Sequence, residues 1–258
     1  PLGAALGLSM GGKKAMVEMQ FADFVSCGFN QIANNLAKTY YRWGQNSDVV
    51  IRMPTGGGAA AGPFHSQSNE AWFFHLPGLK IVYPSTPSDA KGLLLAAFDD
   101  PNPVLFFEHK GMYRSLREEV YSGEYTTEIG KARWVREGEE LTFITYGLAV
   151  QWCEEVAEEL GLDATILDLR TLLPWDKEAV KDAVAKSGKV IVVHEDTLEG
   201  GIGGEIAAWI GEHCFTRLDA PVMRVGSLDT PIPFNADLEV NFMGRSRLYT
   251  KVKELMEW

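Results

Sequence analysis

The sequence predicts an α/β fold with two successive units, each built around a parallel sheet. Short apolar runs alternate with segments of helical period along nearly the whole chain. A polar stretch without periodicity interrupts this alternation near the middle, and a second alternating series follows it. Such alternation is typical of strand–helix–strand units, which form parallel sheets. With 258 residues and 46% hydrophobic content, the chain is long enough to bury two cores.

The first alternating series predicts strands at residues 15–19, 48–53, 79–83 and 104–108. Prolines bound several of these apolar runs and mark the junctions between elements. Apolar residues at helical spacing predict one helix over 21–43, and a second helix is expected over 88–98. The opening residues have the composition of a buried helix rich in small residues, and they lack a starting methionine. We therefore expect the sequence to be a fragment.

The second series predicts strands at 141–146, 164–169, 190–194 and 222–225. Helices are expected between them at 150–160, 177–187 and 204–213, and a closing helix at 249–258. The polar stretch before this series predicts a linker at residues 119–132. The expected domains are therefore residues 1–118 and residues 133–258.

Composition excludes several classes of protein. The formal net charge of −11 disfavours binding to a phosphate backbone, so nucleic acid is a poor partner. No apolar run approaches the length needed to cross a bilayer, and no segment of this sequence has the pattern of a secretory leader, so export is not expected. The three cysteines, Cys27, Cys153 and Cys214, are far apart and odd in number, which favours a reducing compartment such as the bacterial cytoplasm.

Several common catalytic and binding motifs are incomplete. The glycines at residues 200–204 follow a predicted strand, but Ile206 stands where a dinucleotide-binding motif needs its third glycine. We interpret this segment as a glycine-lined helix start or a subunit contact. Ser66 lacks the flanking glycines of a hydrolase nucleophile, and no phosphate-binding loop motif occurs. No Cys-x-x-Cys spacing indicates structural zinc.

The glycine-rich loop at residues 56–62 is the strongest candidate for a functional site. It follows a predicted strand and leads through Pro63 to His65, which stands beside a hydroxyl and an amide. Glycine allows close approach of a ligand to the backbone, and histidine changes charge near neutral pH. These residues are compatible with acid–base catalysis at His65 and with an ordinary histidine in a loop, which is the commoner case for a single histidine.

Four stretches together resemble the β subunits of the thiamine-diphosphate-dependent 2-oxo acid dehydrogenases. They are residues 17–24 (VEMQFADF), 65–68 (HSQS), 77–84 (PGLKIVYP) and 168–176 (DLRTLLPWD). The resemblance runs essentially from end to end; the branched-chain type is closest, and the pyruvate type remains open. It implies a three-layer thiamine-pyrimidine-binding domain without its N-terminal part, followed by a domain of the transketolase C-terminal type.

The resemblance also assigns roles to individual residues. It implies that Gln20 and Phe24 line the pocket of the aminopyrimidine ring, where an aromatic face and an amide suit a flat heterocycle. His65 matches the histidine that faces the reacting substrate and the lipoyl group. The family also holds a potassium ion with backbone carbonyls, here at Val49, Val50, Ala97, Asp100 and Asn102.

Two absences lead us to expect activity only with an α subunit and with the N-terminal segment that is missing before Pro1. The family's catalytic glutamate would lie just before Pro1, and no Gly-Asp pair is present to hold magnesium and the cofactor diphosphate. We therefore expect an α subunit to complete the site, in a heterotetramer of two α and two β subunits or in a fused chain. The expected core partner is a lipoyl acyltransferase, with residues 199–205 and 229–233 as candidate contact segments.

The expected reaction is oxidative decarboxylation of a branched-chain 2-oxo acid with acyl transfer to lipoamide. Pyruvate dehydrogenase, a transketolase-like enzyme and a non-catalytic assembly fragment are the alternatives. The expected location is the cytoplasm, or the mitochondrial matrix if the source is eukaryotic.

Overall fold

The computed structural model describes residues 1–258, and its first unit alternates strands and helices as the sequence predicts. The strands are β1 (Ala15–Glu18), β2 (Val49–Thr55), β3 (Lys80–Val82) and β4 (Val104–His109). The α-helices are α1 (Leu2–Met10), α2 (Ala37–Trp43), α3 (Ala71–Phe74), α4 (Pro87–Asp99) and α5 (Met112–Ser115). The four predicted strands and the helix before β4 are confirmed to within a few residues.

The prediction of a single helix over residues 21–43 is wrong. A 3-10 helix (Ala22–Gly28), a π-helix (Gln31–Leu36) and α2 replace it. Gly28 allows α1 to pack closely, because a Cβ there would lie 2.2 Å from Leu2 Cδ1. A glycine inside a helix weakens it, and the chain changes its winding on either side of this contact. Gly44, with φ +66°, then ends α2 in the left-handed conformation.

The second unit repeats the alternation with more strands than predicted. Its strands are β5 (Arg133–Arg136), β6 (Leu141–Thr145), β7 (Ala164–Asp168), β8 (Thr171–Leu173), β9 (Val190–Thr197) and β10 (Met223–Ser227). Its α-helices are α6 (Ala149–Leu160), α7 (Lys177–Ser187), α8 (Ile202–His213), α9 (Ala236–Phe242) and α10 (Arg245–Met256). The sequence patterns did not predict β5, β8 and α9, which are short and lack a clear period. The closing helix begins four residues before its predicted start.

Residues 116–132 contain no helix or strand and lie against α4. Tyr125 donates a hydrogen bond to the Ser88 carbonyl at 2.8 Å, and Lys91 Nζ donates to the Gly123 carbonyl at 2.7 Å. This segment includes the predicted linker. The domain boundaries at residues 118 and 133 remain a prediction.

The two units share one sheet as well as their hydrophobic core. The first sheet has the order β1-β2-β4-β3-β8, and the second has the order β10-β9-β6-β7-β5. Strand β8 follows the second unit's β7 in sequence, yet it pairs antiparallel with β3, with Ile81 opposite Leu173. The largest core cluster contains residues of both sheets, including Ile51 and Leu167. The glycine-rich loop leaves this shared region at the end of β2.

Buried charges also join the units. Asp168, at the end of β7 and 0% exposed, accepts hydrogen bonds from the Ser85 hydroxyl, from Arg133 Nη2 at 3.2 Å and from the Arg170 backbone N–H at 3.0 Å. Arg170 Nη1 and Arg133 Nε each contact Asp89 on α4, at 2.7 and 3.1 Å. This ion-pair network links the second unit to the first.

Two further observations concern membranes and thiols. None of the helices combines the length and the apolar character that a membrane crossing requires. All three cysteine thiols are free, with Cys27 exposed and the other two buried.

Candidate active site at the glycine-rich loop

The glycine-rich loop begins where β2 ends, and its conformation depends on glycine. Gly56 has φ +92°, and a Cβ there would lie 2.2 Å from the ring of His109. Lys110 Nζ donates a hydrogen bond to the Gly56 carbonyl at 2.9 Å. The loop therefore passes directly over His109 at the end of β4, a path that only glycine permits.

Two of the three predicted site residues are in contact. The His65 ring meets Phe24 edge-on at 5.6 Å between centroids, and it meets Phe21 at 5.2 Å. The His65 nitrogens form no hydrogen bond within the chain, and the side chain is only partly buried. Phe24 is 36% exposed, although its neighbours in the 3-10 helix are buried. An exposed aromatic face thus lies beside a histidine whose nitrogens are free.

Gln20, the third predicted residue, lies between β1 and the 3-10 helix. Its side chain is exposed and forms no hydrogen bond within the chain. It stands four residues before Phe24, at the entry to the helix that carries this ring. An exposed amide and an exposed aromatic face in this segment fit a flat heterocycle.

Asp23 holds the segment after the loop against the 3-10 helix. Its Oδ1 accepts hydrogen bonds from the Gln67 backbone N–H at 3.1 Å and from Gln67 Nε2 at 3.0 Å. Asn69 Nδ2 donates to the Ala22 carbonyl at 3.0 Å. These bonds connect the residues that flank Phe24 with those that follow His65. They fix the relative position of the two predicted site residues.

The second unit supplies carboxylates to the loop that were not among the predicted site residues. Glu195 Oε1, at the end of β9, accepts a hydrogen bond from the Gly57 backbone N–H at 2.6 Å. Glu195 Oε2 lies 2.7 Å from His109 Nε2, and both side chains are almost completely buried. Burial opposes ionisation of Glu195, but the His109 imidazole outweighs it and holds the pKa of Glu195 below its usual value. A buried carboxylate beside a histidine therefore touches the loop.

A second acidic pair lies close to Glu195. Glu70 is completely buried, and Tyr146 donates a hydrogen bond to its Oε1 at 2.8 Å. Burial, with Asp196 nearby, raises the pKa of Glu70 well above its ordinary value. Burial, with Glu195 adjacent, raises the pKa of Asp196 to about 7. The sequence signal for this cluster was the unbroken His194-Glu195-Asp196 run at the end of a buried strand.

Replacing Asp196 by asparagine is expected to change how stability depends on pH. Because the carboxyl pKa is about 7 in the folded chain and 3.8 otherwise, the native state holds its proton more tightly. Wild-type stability should therefore fall as pH rises from about 4 to 7. The asparagine side chain does not ionise, so the variant should not show this loss. Asparagine also keeps the acceptor for the Thr197 N–H, a bond of 2.8 Å.

Thermal unfolding of both proteins across this pH range tests the prediction. The variant should be more stable at about pH 8, and the difference should shrink toward about pH 4. A variant that is less stable than the wild type at about pH 8 would contradict it.

The residues predicted to hold potassium lie around the start of β2 and the end of α4. Lysine ammonium groups contact this region: Lys14 Nζ contacts the Phe98 carbonyl, and Lys80 Nζ contacts Asp100. Asp100 Oδ1 also accepts hydrogen bonds from the Asn102 backbone and side chain, both at 2.9 Å. Carbonyls at a helix end attract cations. The potassium site remains a prediction.

A polar cluster and a cleft lie at the ends of the first sheet's strands. Arg52 forms two hydrogen bonds to Glu108, at 2.6 and 2.7 Å, and also pairs with Glu18. A cleft of about 520 Å³ opens beside Glu108 and His109. No group of three or more His, Cys, Asp and Glu side chains is arranged to hold a metal ion.

Both units of the chain match known domain families. Residues 2–115 match the family model of the transketolase pyrimidine-binding domain, and residues 130–245 match that of the transketolase C-terminal domain. A solved structure described as a split-gene transketolase, an inactive beta4 tetramer, has a TM-score of 0.79 at 24% identity. The superposition covers 99% of this chain and 80% of the transketolase chain. At this identity the similarity supports the fold alone. The fold expected from the resemblance is confirmed.

Curated relatives are more similar in sequence. The 2-oxoisovalerate dehydrogenase subunit beta of Bacillus subtilis is 48% identical over an alignment of 265 positions that covers 99% of this chain and 80% of that protein. The mitochondrial 2-oxoisovalerate dehydrogenase subunit beta 2 of Arabidopsis thaliana is 44% identical, over 90% of this chain and 66% of the relative. A pyruvate dehydrogenase E1 component subunit beta of Staphylococcus aureus is 39% identical, over 99% of this chain and 80% of the relative. The chain therefore belongs to the family of 2-oxo acid dehydrogenase β subunits.

Proposed function

We propose that this chain is the β subunit of a thiamine-diphosphate-dependent dehydrogenase that oxidatively decarboxylates branched-chain 2-oxo acids. The observation that carries the proposal is the contact between His65 and the exposed Phe24, in a chain 48% identical to a 2-oxoisovalerate dehydrogenase β subunit. When bound, thiamine diphosphate supplies the carbon that adds to the 2-oxo group and takes up the electrons left by carbon dioxide.

The chain's own residues would bind and orient the aromatic end of this cofactor. Phe24 offers an exposed face for stacking, and the exposed Gln20 amide offers a donor and an acceptor for the aminopyrimidine. His65 would donate a hydrogen bond or a proton from a ring nitrogen to the acyl oxygen during transfer. Its free nitrogens and partly exposed ring support this role.

The transfer needs an oxidant, which lipoamide supplies. The sulfur–sulfur bond of the lipoyl ring breaks and takes up the electron pair. One sulfur forms the thioester with the acyl group, and the other takes a proton. We propose that the lipoyl group arrives from an acyltransferase core, with residues 199–205 and 229–233 as candidate contact segments.

An α subunit would complete the site. The described side chains include no cluster for a metal, and no Gly-Asp pair occurs in the sequence. We therefore assign the magnesium and diphosphate ligands to the α subunit, in a heterotetramer of two α and two β subunits or in a fused chain. Potassium would bind at the predicted carbonyls near the end of α4. The proposed location is the cytoplasm, or the mitochondrial matrix in a eukaryote.

The experiment assembles the complete chain with its α subunit, thiamine diphosphate and magnesium, and measures carbon dioxide release from 2-oxoisovalerate and pyruvate. We expect kcat/KM to favour 2-oxoisovalerate by at least about tenfold, the discrimination that a small apolar group allows. A preference for pyruvate would favour the pyruvate dehydrogenase alternative, which the 39% identity to the Staphylococcus aureus protein supports. An assembly that binds the cofactor and releases no carbon dioxide from either acid would overturn the proposal.

A further inference from the structure

Two buried carboxylates of the second unit bind the backbone of the glycine-rich loop. We propose that Glu195 and Glu239 are positioning residues, which hold this loop and thereby place His65 for acyl transfer. The inference rests on the role that the proposed function gives to His65. Neither carboxylate belongs to the sheet from which the loop emerges, so this sheet alone does not hold the loop in place.

Glu195 connects both ends of the segment that contains His65. Its Oε1 accepts hydrogen bonds from the Gly57 backbone N–H at 2.6 Å and from the Ser68 hydroxyl at 3.2 Å. Gly57 lies eight residues before His65, and Ser68 lies three residues after it. One oxygen atom therefore closes the segment 57–68 into a loop of fixed span.

His109 holds the Glu195 carboxylate in place. Its Nε2 lies 2.7 Å from Glu195 Oε2, and the two side chains are 1% and 6% exposed. Gly56 packs over the same imidazole ring, so the loop and the carboxylate share one support. Hydrogen bonds from backbone N–H groups to an ionised carboxylate are stronger than bonds between neutral groups. The buried Glu195–His109 pair therefore holds the loop firmly.

Glu239 holds the middle of the loop. It lies on α9, is 3% exposed, and its Oε2 accepts a hydrogen bond from the Ala60 backbone N–H at 2.8 Å. Ala60 has φ +51°, a left-handed conformation that is unfavourable for alanine and persists only where neighbouring groups impose it. Gly62 packs against the Phe234 ring, where a Cβ would lie within 2.3 Å. The residues before and within α9 thus impose the path that leads to His65.

If Glu195 and Glu239 position His65, their removal should affect decarboxylation and lipoyl acylation differently. Carbon dioxide release coupled to an artificial electron acceptor does not need lipoamide, whereas acylation of a lipoyl domain does. A displacement of His65 by about 1 Å can lower the rate of the step that it catalyses by about 100-fold. A merely structural role would lower both rates together or lower neither.

The test uses alanine and glutamine at each position in the complete chain, assembled with its α subunit, thiamine diphosphate and magnesium. Glu195→Ala and Glu239→Ala should lower kcat for lipoyl acylation by about 10–100-fold. The KM for the 2-oxo acid and acceptor-coupled carbon dioxide release should change by at most about threefold. Glu239→Gln should recover most of the acylation rate, because its amide oxygen still accepts the Ala60 N–H. Glu195→Gln should recover only part of it, because one amide oxygen cannot accept from both the Gly57 N–H and His109 Nε2.

A second readout does not depend on activity. Hydrogen exchange of the peptides that cover residues 56–68 should accelerate by about tenfold in each alanine variant, because the loop loses a hydrogen bond. Glu178→Ala is the matched control, since the Glu178 side chain is 81% exposed on α7. It should leave both rates and the exchange unchanged. Glu239→Ala also keeps the buried Glu195–His109 pair intact, which preserves the test if Glu195→Ala does not fold.

The outcomes separate this inference from the proposed function. Unchanged exchange of residues 56–68 in both alanine variants would overturn the positioning role, as would an equal loss of both half-reactions. Faster exchange in an assembly that releases no carbon dioxide from any 2-oxo acid would confirm the contacts and overturn the proposed function.

Discussion

Replacing His65 by alanine is expected to lower lipoyl acylation by the assembled enzyme by about 100- to 10,000-fold, the range of general acid–base catalysis. The imidazole stands edge-on to Phe24, beside the surface assigned to the aminopyrimidine, and its nitrogens are free to face the acyl group. Alanine removes the imidazole, which is the only general acid–base group in the segment 65–68. The measurement is the single-turnover rate of acyl transfer to a lipoyl domain.

The fold should tolerate this change. The His65 ring is partly exposed and lies outside the core clusters, so its removal creates no buried cavity. The thermal midpoint of the variant should therefore remain close to that of the wild type. His75→Ala is the matched control, because His75 is exposed and lies after α3, outside the site. Wild-type acyl transfer by His65→Ala would rule out the assigned role.

Replacing Asp168 by alanine is expected to cause the largest loss of stability. Asp168 is completely buried and accepts hydrogen bonds from Ser85, from Arg133 and from the Arg170 backbone. Removing one partner of a buried ion pair costs about 3–5 kcal/mol, and the 30% exposure of the Arg133 side chain favours the lower end. A loss of about 3 kcal/mol corresponds to a fall in Tm of roughly 6–12 °C for a chain of this size.

Thermal and denaturant unfolding of the variant measure this loss. Asp168→Asn should lose less, because its Oδ1 still accepts the Arg170 N–H. The amide nitrogen that replaces Oδ2 no longer accepts from Ser85 or Arg133. Asp182→Ala on α7 serves as the control, since Asp182 is exposed and forms no ion pair. Equal midpoints for Asp168→Ala and Asp182→Ala would show that this network contributes nothing to stability.

Local sequence patterns predicted most of the elements because apolar runs and turn residues are local signals. The four apolar runs of the first series became β1 to β4, and residues 177–187 became α7 with the predicted bounds. The prediction failed at residues 21–43, where helical spacing suggested one helix. There the inward-facing Asp23 and the close packing of Gly28 on Leu2 break the winding. Tertiary contacts outweigh weak helix propensity at these positions.

The candidate site was only partly visible in the sequence. His65, Phe24 and Gln20 came from motifs shared with a family, and the structure places the first two in contact. The carboxylates that hold the loop carry no such motif. Glu195 lies near the end of β9 and Glu239 lies on a short helix, and no local pattern marks either residue as a partner of the loop.

The sequence by itself determined the two-unit α/β order, the family and the histidine loop, because each is written in consecutive residues. Only the tertiary structure decided which distant groups meet that loop. Gly57 and Glu195 are 138 residues apart, and Ala60 and Glu239 are 179 apart. Their hydrogen bonds form because packing of the second unit brings buried carboxylates to unpaired backbone N–H groups, which must find partners once water is excluded.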